Sequence, residues 1–390
     1  MIEIKEAKTR REIHDFVEFP NKLYKDCPYY VPCLSVDETK DLRPETNPAY
    51  EYCEAKILLA YKDGRLAGRM CTIINHAYNE KWHKKRIRFN RFDVIDDIEV
   101  TKALIDYVKA WGKQNGLTEI TGPIGFCDMD KEGILVEGFD EMDMYITAYN
   151  AAYYPKHLEA LGFVKDADWV EMEIKVPDKL DERIVKVSNG LMRRGNLHEF
   201  KFTKMKQVLP RVEEIFDLLN EAYAGLYGTV ELNKRQVMFY KDHYIALLDP
   251  QYVCVIENEN NEIVGFGAAL PSLAKATKKG GGHYLPFGWV HLLKALKKND
   301  RLELLLVAVR KDYQNKGVNA MLINKIYANA IKNGIKYAET GPELELNDKV
   351  QSQWKDFQTE QHKRRRCFVK ELTPAAGEPE KADAPAGAAV

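Results

Sequence analysis

Hydrophobic residues near the far end of the chain form a run of strand length followed by a periodic pattern. The run Leu304–Val309 is rich in leucine and valine and is bounded by polar residues, which indicates a β-strand covered on both faces. After it, apolar residues recur in pairs four apart, which predicts a helix that ends at Asn333-Gly334. The apolar positions of this helix are Leu322, Ile323, Ile326, Tyr327, Ala330 and Ile331.

A β-hairpin pattern occurs twice along the chain. The first hairpin consists of two apolar segments within Ile57–Ile74, joined by the turn Asp63-Gly64, a pair that favours a tight hairpin turn. The second consists of Tyr252–Ile256 and Ile263–Ala269, joined by a polar turn. Two hairpins of one design suggest an internal duplication.

The segments after the two hairpins also share one order. Each half has a helix that ends in Asn-Gly, then a short strand, then Thr-Gly-Pro, at Thr121–Pro123 and Thr340–Pro342. An asparagine (Asn150 or Asn347), a helix and a closing strand follow in both. The repeat predicts an α/β, mixed-sheet protein of two similar domains.

The domain boundaries follow from this repeat. We expect a first domain over residues 1–176, a helical linker over 177–196 and a second domain over 197–372. The last residues, 373–390, are rich in Ala, Pro, Gly and Glu, which predicts a disordered tail. A chain of 390 residues is long enough for two separate cores.

Composition and charge exclude several classes of protein. With 58 basic against 59 acidic residues, the chain has no overall field that would attract nucleic acid. Seven cysteines without CxxC or Cys/His spacing argue for reduced thiols and against a metal site. There is no signal-peptide core and no apolar run long enough for a membrane span. We expect a cytoplasmic protein.

The turn after Leu304–Val309 carries candidate binding chemistry. The sequence Gln314-Asn315-Lys316-Gly317-Val318-Asn319 opens a helix, whose free backbone N–H groups and dipole attract phosphate. The segment resembles the pyrophosphate-binding loop of the GCN5-related N-acetyltransferase (GNAT) superfamily, with Asn319 at the last small position. An ordinary strand-turn-helix unit with one glycine is the alternative.

The matching loop of the first half lacks these features. Arg91–Glu99 contains no glycine, and Asp96 with Glu99 predicts a helix N-cap. Its carboxylates would occupy the backbone N–H donors that a phosphate needs and would repel the phosphate by charge. We therefore expect a first domain that is degenerate and non-catalytic, the alternative being a domain that binds another ligand.

The GNAT resemblance implies two tandem GNAT-like domains, acyl-CoA as co-substrate and no metal. It also implies that a backbone N–H between Val307 and Val309 holds the reacting carbonyl and that Asn347 contacts the pantetheine arm, although Asn347 fits a plain helix N-cap equally well. Amide formation needs a base for the amine proton. The candidate bases are Glu303, Glu339 and Glu343, which lie at the ends of the predicted core strands.

A long insertion separates the second hairpin from the strand at Leu304. It contains Trp289, Leu292, Leu293 and Leu296 at helical spacing, with Lys294, Lys297 and Lys298 among them. This pattern predicts a basic amphipathic helix that makes peripheral contact with the inner face of a membrane or covers an apolar acceptor. The alternative is a surface helix that packs its apolar face on its own domain.

Further motifs refine the resemblance. Gly133–Glu141, Asn150–Tyr154, Pro286–Gly288 and the basic run His362–Arg366 are similar to those of the tandem-domain YghO-type family, which is similar to the bacterial ceramide synthases. The basic run is interpreted as a solvated surface or as a site for cofactor phosphates or anionic headgroups.

This resemblance implies N-acyl transfer from a long-chain acyl-CoA to the amine of a sphingoid base. The partners would be acyl-CoA, a long-chain amine and a membrane surface, without nucleic acid. The alternatives are an N-acetyltransferase for a small polar amine or peptide, and a non-catalytic protein that binds acyl-CoA or acts as a scaffold.

Overall fold

The computed structural model describes residues 1–194 and 196–372. The predicted tail, 373–390, lies outside the described residues. The first half contains, in order, β1 (Ile2–Glu6), α1 (Arg10–Leu23), α2 (Ser35–Asp41), β2 (Cys53–Lys62), β3 (Arg65–Asn75), α3 (His76–Lys81), β4 (Arg86–Val94), α4 (Ile98–Gln114), β5 (Glu119–Gly122), β6 (Ile134–Glu137), α5 (Tyr153–Ala160) and β7 (Val164–Lys175).

The second half begins with a helix in the segment predicted to be a linker. Its elements are α6 (Glu182–Arg194), β8 (Leu197–Glu199), α7 (Val212–Tyr223), α8 (Lys234–Tyr244), β9 (Val253–Asn258), β10 (Ile263–Pro271), α9 (Ala274–Lys279), α10 (Gly288–Lys297), β11 (Arg301–Val309), α11 (Val318–Lys332), β12 (Tyr337–Thr340), β13 (Glu343–Leu344), α12 (Asp348–Gln351) and β14 (Gln358–Glu371). Short 3₁₀ turns connect several of them.

Both predicted hairpins are confirmed, as β2 with β3 and β9 with β10. Asp63 and Gly64 have φ values of 49° and 78°, the left-handed pair that a tight hairpin turn requires. Each half then places a long helix against its sheet. The apolar side of α4 (Val100, Leu104, Val108 and Trp111) packs on the first half of the sheet, and that of α11 (Ile326, Tyr327 and Ala330) packs on the second.

All strands belong to one continuous sheet. Its order is β1-β2-β3-β4-β5-β14-β7-β12-β11-β10-β9-β8. Two short strands lie off this path: β6 pairs with β14, and β13 pairs with β7. The two closing strands are exchanged: β14 pairs with β5 of the first half, and β7 pairs with β12 of the second. The long antiparallel pairing of β7 with β14 therefore joins the halves.

Buried ion pairs fix this central pairing. The Lys363 side chain in β14 is fully buried and pairs with Glu171 of β7 at 3.0 Å and with Glu339 of β12. Arg365, also fully buried, pairs with Glu171 and, at 2.5 Å, with Asp143. Both cations are neutralised inside the protein.

Lys363 and Arg365 are thus neither solvated nor free to bind a phosphate, so both sequence-based interpretations of the basic run are wrong for these two residues. Successive side chains of a strand point to opposite faces, so Lys363 and Arg365 both point inward from β14. There they form ion pairs with carboxylates of neighbouring strands. Glu171, Glu339 and His362 come within metal-binding distance of one another. The ammonium group of Lys363 already supplies the positive charge that both carboxylates need.

This network generates a stability prediction. Glu171→Gln removes the carboxylate that Lys363 and Arg365 share, so it leaves buried positive charge poorly compensated and lowers the free energy of unfolding by about 3–5 kcal/mol. Urea denaturation of the full chain measures the change. Glu137→Gln is the matched control, because Glu137 is exposed and pairs with Arg364, which lies on β14 like Lys363 and Arg365. This substitution lowers the free energy of unfolding by less than about 1 kcal/mol. Equal effects of the two substitutions would contradict the role given to the network.

Candidate functional site

A cleft opens where β11 separates from β12. The two strands run parallel and pair only from Arg301 with Tyr337 to Leu304 with Thr340. Beyond this point β11 continues to Val309 with β10 alone as its partner. The register with β10 shifts between Leu304 and Leu306, which marks a β-bulge in β11. One backbone edge of β11 therefore faces the cleft.

The Val307 backbone is held at this edge by a tyrosine. Its N–H donates to the Tyr223 hydroxyl oxygen at 3.3 Å, and the same hydroxyl donates to the Val307 carbonyl at 3.0 Å. A backbone N–H bound to a hydroxyl oxygen can exchange that partner for the carbonyl oxygen of a ligand. Val309, the other end of the predicted segment, is buried and pairs with Gly265 of β10.

The loop after β11 leaves backbone N–H groups free at the start of α11. Asn315 and Gly317 have φ values of 60° and 86°. In the part of the chain that the structure describes, the N–H groups of Gly317, Val318 and Asn319 donate no hydrogen bond. The first turn of α11 carries no acidic residue, and Lys316 is exposed beside it. Free donors, a helix N-terminus and a nearby cation suit a diphosphate.

Helix α6 closes one side of this loop. A Cβ atom placed on Gly317 would lie 2.7 Å from the Leu191 side chain and 3.0 Å from that of Val187. Glycine is therefore required at 317 both by its backbone conformation and by the close approach of α6. A substitution of Gly317 would disturb this packing as well as any bound ligand, so it is unsuitable as a test of binding.

A large cavity continues from the cleft toward the first half. Its volume is about 330 Å³, within the usual range for ligand sites. Helices α7 and α8, strands β10 and β11 and helix α11 supply a mostly apolar wall. The apolar lining includes Val212, Ile215, Phe216, Leu219, Tyr240, Tyr244, Phe266, Leu305, Leu306, Leu322 and Ile326.

Of the three candidate bases, Glu343 lines the cavity. One of its carboxylate oxygens accepts a hydrogen bond from Trp354 Nε1 at 2.8 Å, and the other is buried without a partner among the described residues. Burial raises the pKa of Glu343 to about 7. A carboxyl group with that pKa can exchange protons near neutral pH.

Glu303 and Glu339 lie outside the cavity lining. Glu303 is fully buried and accepts hydrogen bonds from Ser272 Oγ at 2.6 Å and from the Tyr145 N–H at 3.2 Å, and burial raises its pKa to about 7. Burial alone would raise the pKa of Glu339, but Lys363 and neighbouring His362 outweigh it and hold the pKa at about 2. Glu339 thus belongs to the ionic network of the central strands.

Asn347 stands at the N-cap position of α12 but makes no capping hydrogen bond with its side chain. It lines the cavity instead. Its amide is therefore available to a ligand that lies along the β11 edge.

The corresponding cleft of the first half is filled. Here β4 and β5 pair only as far as Arg88 with Thr121. Beyond that point the Val94 N–H donates to the Tyr154 hydroxyl at 2.9 Å, and the Tyr153 hydroxyl donates to the Val94 carbonyl at 2.6 Å. The protein's own tyrosines occupy the backbone edge that stays open in the second half.

The helix start in this half is also occupied, though by a different residue than predicted. Asp97, not Asp96, is the N-cap of α4, and its side chain accepts from the Glu99 N–H at 3.0 Å. The prediction for Asp96 is wrong because the extended cap conformation falls one residue later. Asp97 also pairs with Lys62, and Asp96 lies 3.2 Å from His157.

The insertion contains the predicted helix as α10, which packs with only part of its apolar face. Leu292 is buried against the body of the protein, whereas Trp289 and Leu293 are each 49% exposed. The loop before the helix adds Leu285 and Phe287, which are 77% and 68% exposed. Lys294, Lys297 and Lys298 are exposed beside them. Among the described residues, no helix is both long and apolar enough to cross a bilayer.

Among the cavity residues that the sequence did not predict, two carboxylates each keep an unpartnered oxygen. Asp128 and Glu132 belong to the first half, on the loop after its Thr-Gly-Pro turn, yet both line the cavity of the second half. One oxygen of each carboxylate is buried and has no partner among the described residues. In the sequence they resemble any acidic loop, so no pattern distinguishes them.

Comparisons with known proteins agree with this arrangement. Residues 212–352 match the family model described as Acetyltransferase (GNAT) family. The chain is 24% identical over 370 residues to Protein YghO of Escherichia coli (strain K12), covering 93% of this chain and 94% of that protein. It is 25% identical over 325 residues to Bacterial ceramide synthase of Caulobacter vibrioides, covering 81% of this chain and 82% of that protein.

A solved structure is similar over nearly the whole chain. It is a tandem GNAT protein from the clavulanic acid biosynthesis pathway, with a TM-score of 0.56 and 10% identity, and the match covers 96% of this chain and 100% of that one. The likeness confirms the predicted fold class, an α/β mixed sheet in a tandem GNAT arrangement.

Proposed function

This chain is an acyltransferase with a GNAT domain, and we propose that it transfers a long-chain fatty acyl group from coenzyme A to the amine of a sphingoid base. The observation that carries the proposal is the apolar cavity of about 330 Å³, which continues directly from the open edge of β11. A polar acceptor would gain nothing from such walls, whereas an alkyl chain is stabilised by every methylene that leaves water. The similarity to a bacterial ceramide synthase supports the same substrate class.

The free donors of the site support a proposed position for the cofactor. The pyrophosphate binds at the N–H groups of Gly317–Asn319, beside Lys316. The pantetheine arm extends along the β11 edge past Asn347, and the thioester carbonyl receives the Val307 N–H in place of the Tyr223 hydroxyl. In this arrangement the acyl chain enters the apolar cavity.

The first half supports the second without a cofactor of its own. Tyr153 and Tyr154 fill its cleft, and the Asp97 cap places a carboxylate where a phosphate would lie. Its contribution is the central pairing of β7 with β14 and one wall of the shared cavity.

A CoA-release assay tests the reaction. The purified full chain is offered acetyl-CoA or palmitoyl-CoA, each with sphinganine, with a simple long-chain amine or with polar amines. We expect release only when a long-chain donor meets a long-chain amine, because both alkyl chains need the apolar walls. Turnover of acetyl-CoA with polar amines would replace the proposal with a small-molecule acetyltransferase. No release with any pair would favour a binding or scaffold role.

The cofactor site has its own test. Asn319→Asp places a carboxylate in the first turn of α11 with almost no change of shape, so charge repulsion weakens CoA binding by about tenfold or more while the helix stays intact. Calorimetric titration with CoA measures the affinity. Asn260→Asp, in the exposed turn between β9 and β10, makes the same chemical change away from the loop and leaves the affinity unchanged. An unaltered affinity in the Asn319 variant would remove the cofactor from this loop.

Acceptors that reside in a bilayer require a membrane-facing surface, and the insertion provides one. Leu285, Phe287, Trp289 and Leu293 form an exposed apolar patch, with the lysines of α10 beside it. Exposed apolar groups flanked by basic ones fit an anionic bilayer surface. The same segment contacts the first half, where the Ser35 N–H donates to the Gly282 carbonyl at 2.9 Å.

Vesicle sedimentation tests this contact. With Trp289→Ser and Leu293→Ser combined, the fraction bound to vesicles rich in phosphatidylglycerol falls by about fivefold or more, because apolar area inserted in the bilayer is lost. Val164→Ser is the control, since Val164 is 63% exposed at the start of β7, outside the insertion. Equal binding of the double variant and the wild type would rule out the patch as the membrane contact.

A further inference from the structure

Two carboxylates of the first half that each keep an unpartnered oxygen line the cavity that the β11 edge borders. Asp128 and Glu132 line the same cavity as Leu304–Val307 of β11. Burial raises the pKa of the Tyr223 hydroxyl. The hydrogen bond with the Val307 backbone lowers this pKa, and the charge of Asp128 raises it. Asp128 therefore lies within electrostatic reach of the hydroxyl that binds Val307.

The described part of the chain offers neither carboxylate a direct ion-pair partner. Across the described residues, neither Asp128 nor Glu132 has a basic group within ion-pair distance. The positive charges of Arg88 and Lys81 lower the pKa of Asp128 without forming an ion pair with it. Arg88 of β4 donates to the carbonyls of Gly125 and Gly228, and Lys81 of α3 donates to the Thr229 carbonyl.

The remaining acidic and basic side chains of this loop are engaged. Asp130 accepts from the Phe126 N–H at 2.8 Å and lies 3.7 Å from Arg91, and Lys131 donates to the Thr147 carbonyl at 2.5 Å. Asp128 and Glu132 differ from these neighbours because each keeps one oxygen unsatisfied inside the cavity wall. Buried carboxylates without partners are costly unless a ligand supplies the missing charge or donor.

The wall also contains an unsatisfied hydroxyl group. Tyr327 lines the cavity, is only 2% exposed, and its hydroxyl has no partner among the described residues. An apolar cavity that keeps a few unsatisfied polar atoms is arranged for a ligand with a long apolar part and a small number of polar groups.

We propose that Asp128 and Glu132 of the first half bind the ammonium group of the acceptor, and that Asp128 removes the proton that must leave before the amine can react. This assignment rests on the proposed function and specifies its acceptor as a positively charged, single-chain amine. The active site is then composite, with the second half holding the acyl thioester and the first half holding the nucleophile.

The proton and electron balance of the step is simple. One proton passes from the ammonium to the Asp128 carboxylate, and the freed nitrogen lone pair attacks the thioester carbon, whose oxygen is held by the Val307 N–H. The carbon–sulfur bond then breaks, and the second proton of the nitrogen goes to the departing sulfur. The products are the amide and CoA thiol, and Asp128 returns its proton to water.

The electrostatic surroundings of Asp128 set the expected pH dependence. Burial raises the pKa of Asp128 to about 6, opposed by Arg88 and Lys81 and reinforced by Asp130. Burial also raises the pKa of Glu132, with Asp128 adding to the shift. Because Asp128 must be ionised to accept a proton, activity falls as the pH drops through about 6.

The test combines kinetics with binding. In Asp128→Asn, kcat for palmitoyl-CoA and sphinganine falls by about 100-fold or more and the acidic limb of the pH profile disappears, since the proton acceptor is lost. Asp128→Glu restores part of both. Glu132→Gln raises the KM for the amine about tenfold with a smaller change in kcat. Asp106→Asn removes an exposed carboxylate of α4 in the same half and changes neither parameter.

Binding of a matched amine and alcohol in the absence of any acyl donor separates this inference from the proposed reaction. Calorimetry with decylamine and 1-decanol, below the concentrations at which they aggregate, gives about tenfold tighter binding of the amine to the wild type. Asp128→Asn and Glu132→Gln abolish this preference while CoA affinity stays unchanged, which shows that both variants are folded.

The outcomes are distinguishable. A wild type that releases no CoA with any long-chain pair refutes the proposed reaction, and the preference for the amine still tests the ammonium site. An active wild type whose Asp128 and Glu132 variants keep the pH profile and the preference for the amine overturns the inference alone. Loss of the acidic limb in Glu343→Gln, with Asp128→Asn unaffected, overturns it in favour of Glu343 as the base.

Discussion

The antiparallel pairing of β7 with β14 is the constraint on which the rest of the molecule depends. It exchanges the closing strands of the halves and makes one sheet from two. Lys363 and Arg365 are fully buried between Glu171, Glu339 and Asp143, so a shift of register by one residue would turn these charges to the wrong face. The ionic network therefore specifies the geometry in which the halves meet.

The two halves show how one architecture acquires different roles through a few side chains. In both, a parallel strand pair separates after a few residues and leaves a backbone edge free. In the first half the hydroxyls of Tyr153 and Tyr154 hydrogen-bond to the backbone of that edge, and the two side chains fill the space that a ligand would need. In the second half the edge borders a cavity, and the Tyr223 hydroxyl hydrogen-bonds to the Val307 backbone.

The chemistry of the cavity follows from its low polarity. Within apolar walls a carboxylate keeps its proton to a higher pH, as Glu343 and Asp128 illustrate with pKa values of about 7 and 6. The same walls strengthen any charge pair formed with a ligand. Because Asp128 comes from one half and Val307 from the other, the cavity that both line is complete only when the halves have joined.

Local sequence determined the hairpins, the helix faces, the helix Glu182–Arg194 and the glycine turn that opens α11 at Gly317, because turn chemistry and periodicity act over a few residues. It also pointed to Glu343, though not to its difference from Glu303 and Glu339, since burial and ion pairing depend on distant strands. Only the tertiary structure decided the exchange of closing strands, the burial of the basic run and the place of Asp128 and Glu132. Those features arise from contacts between residues more than a hundred positions apart, which no local pattern records.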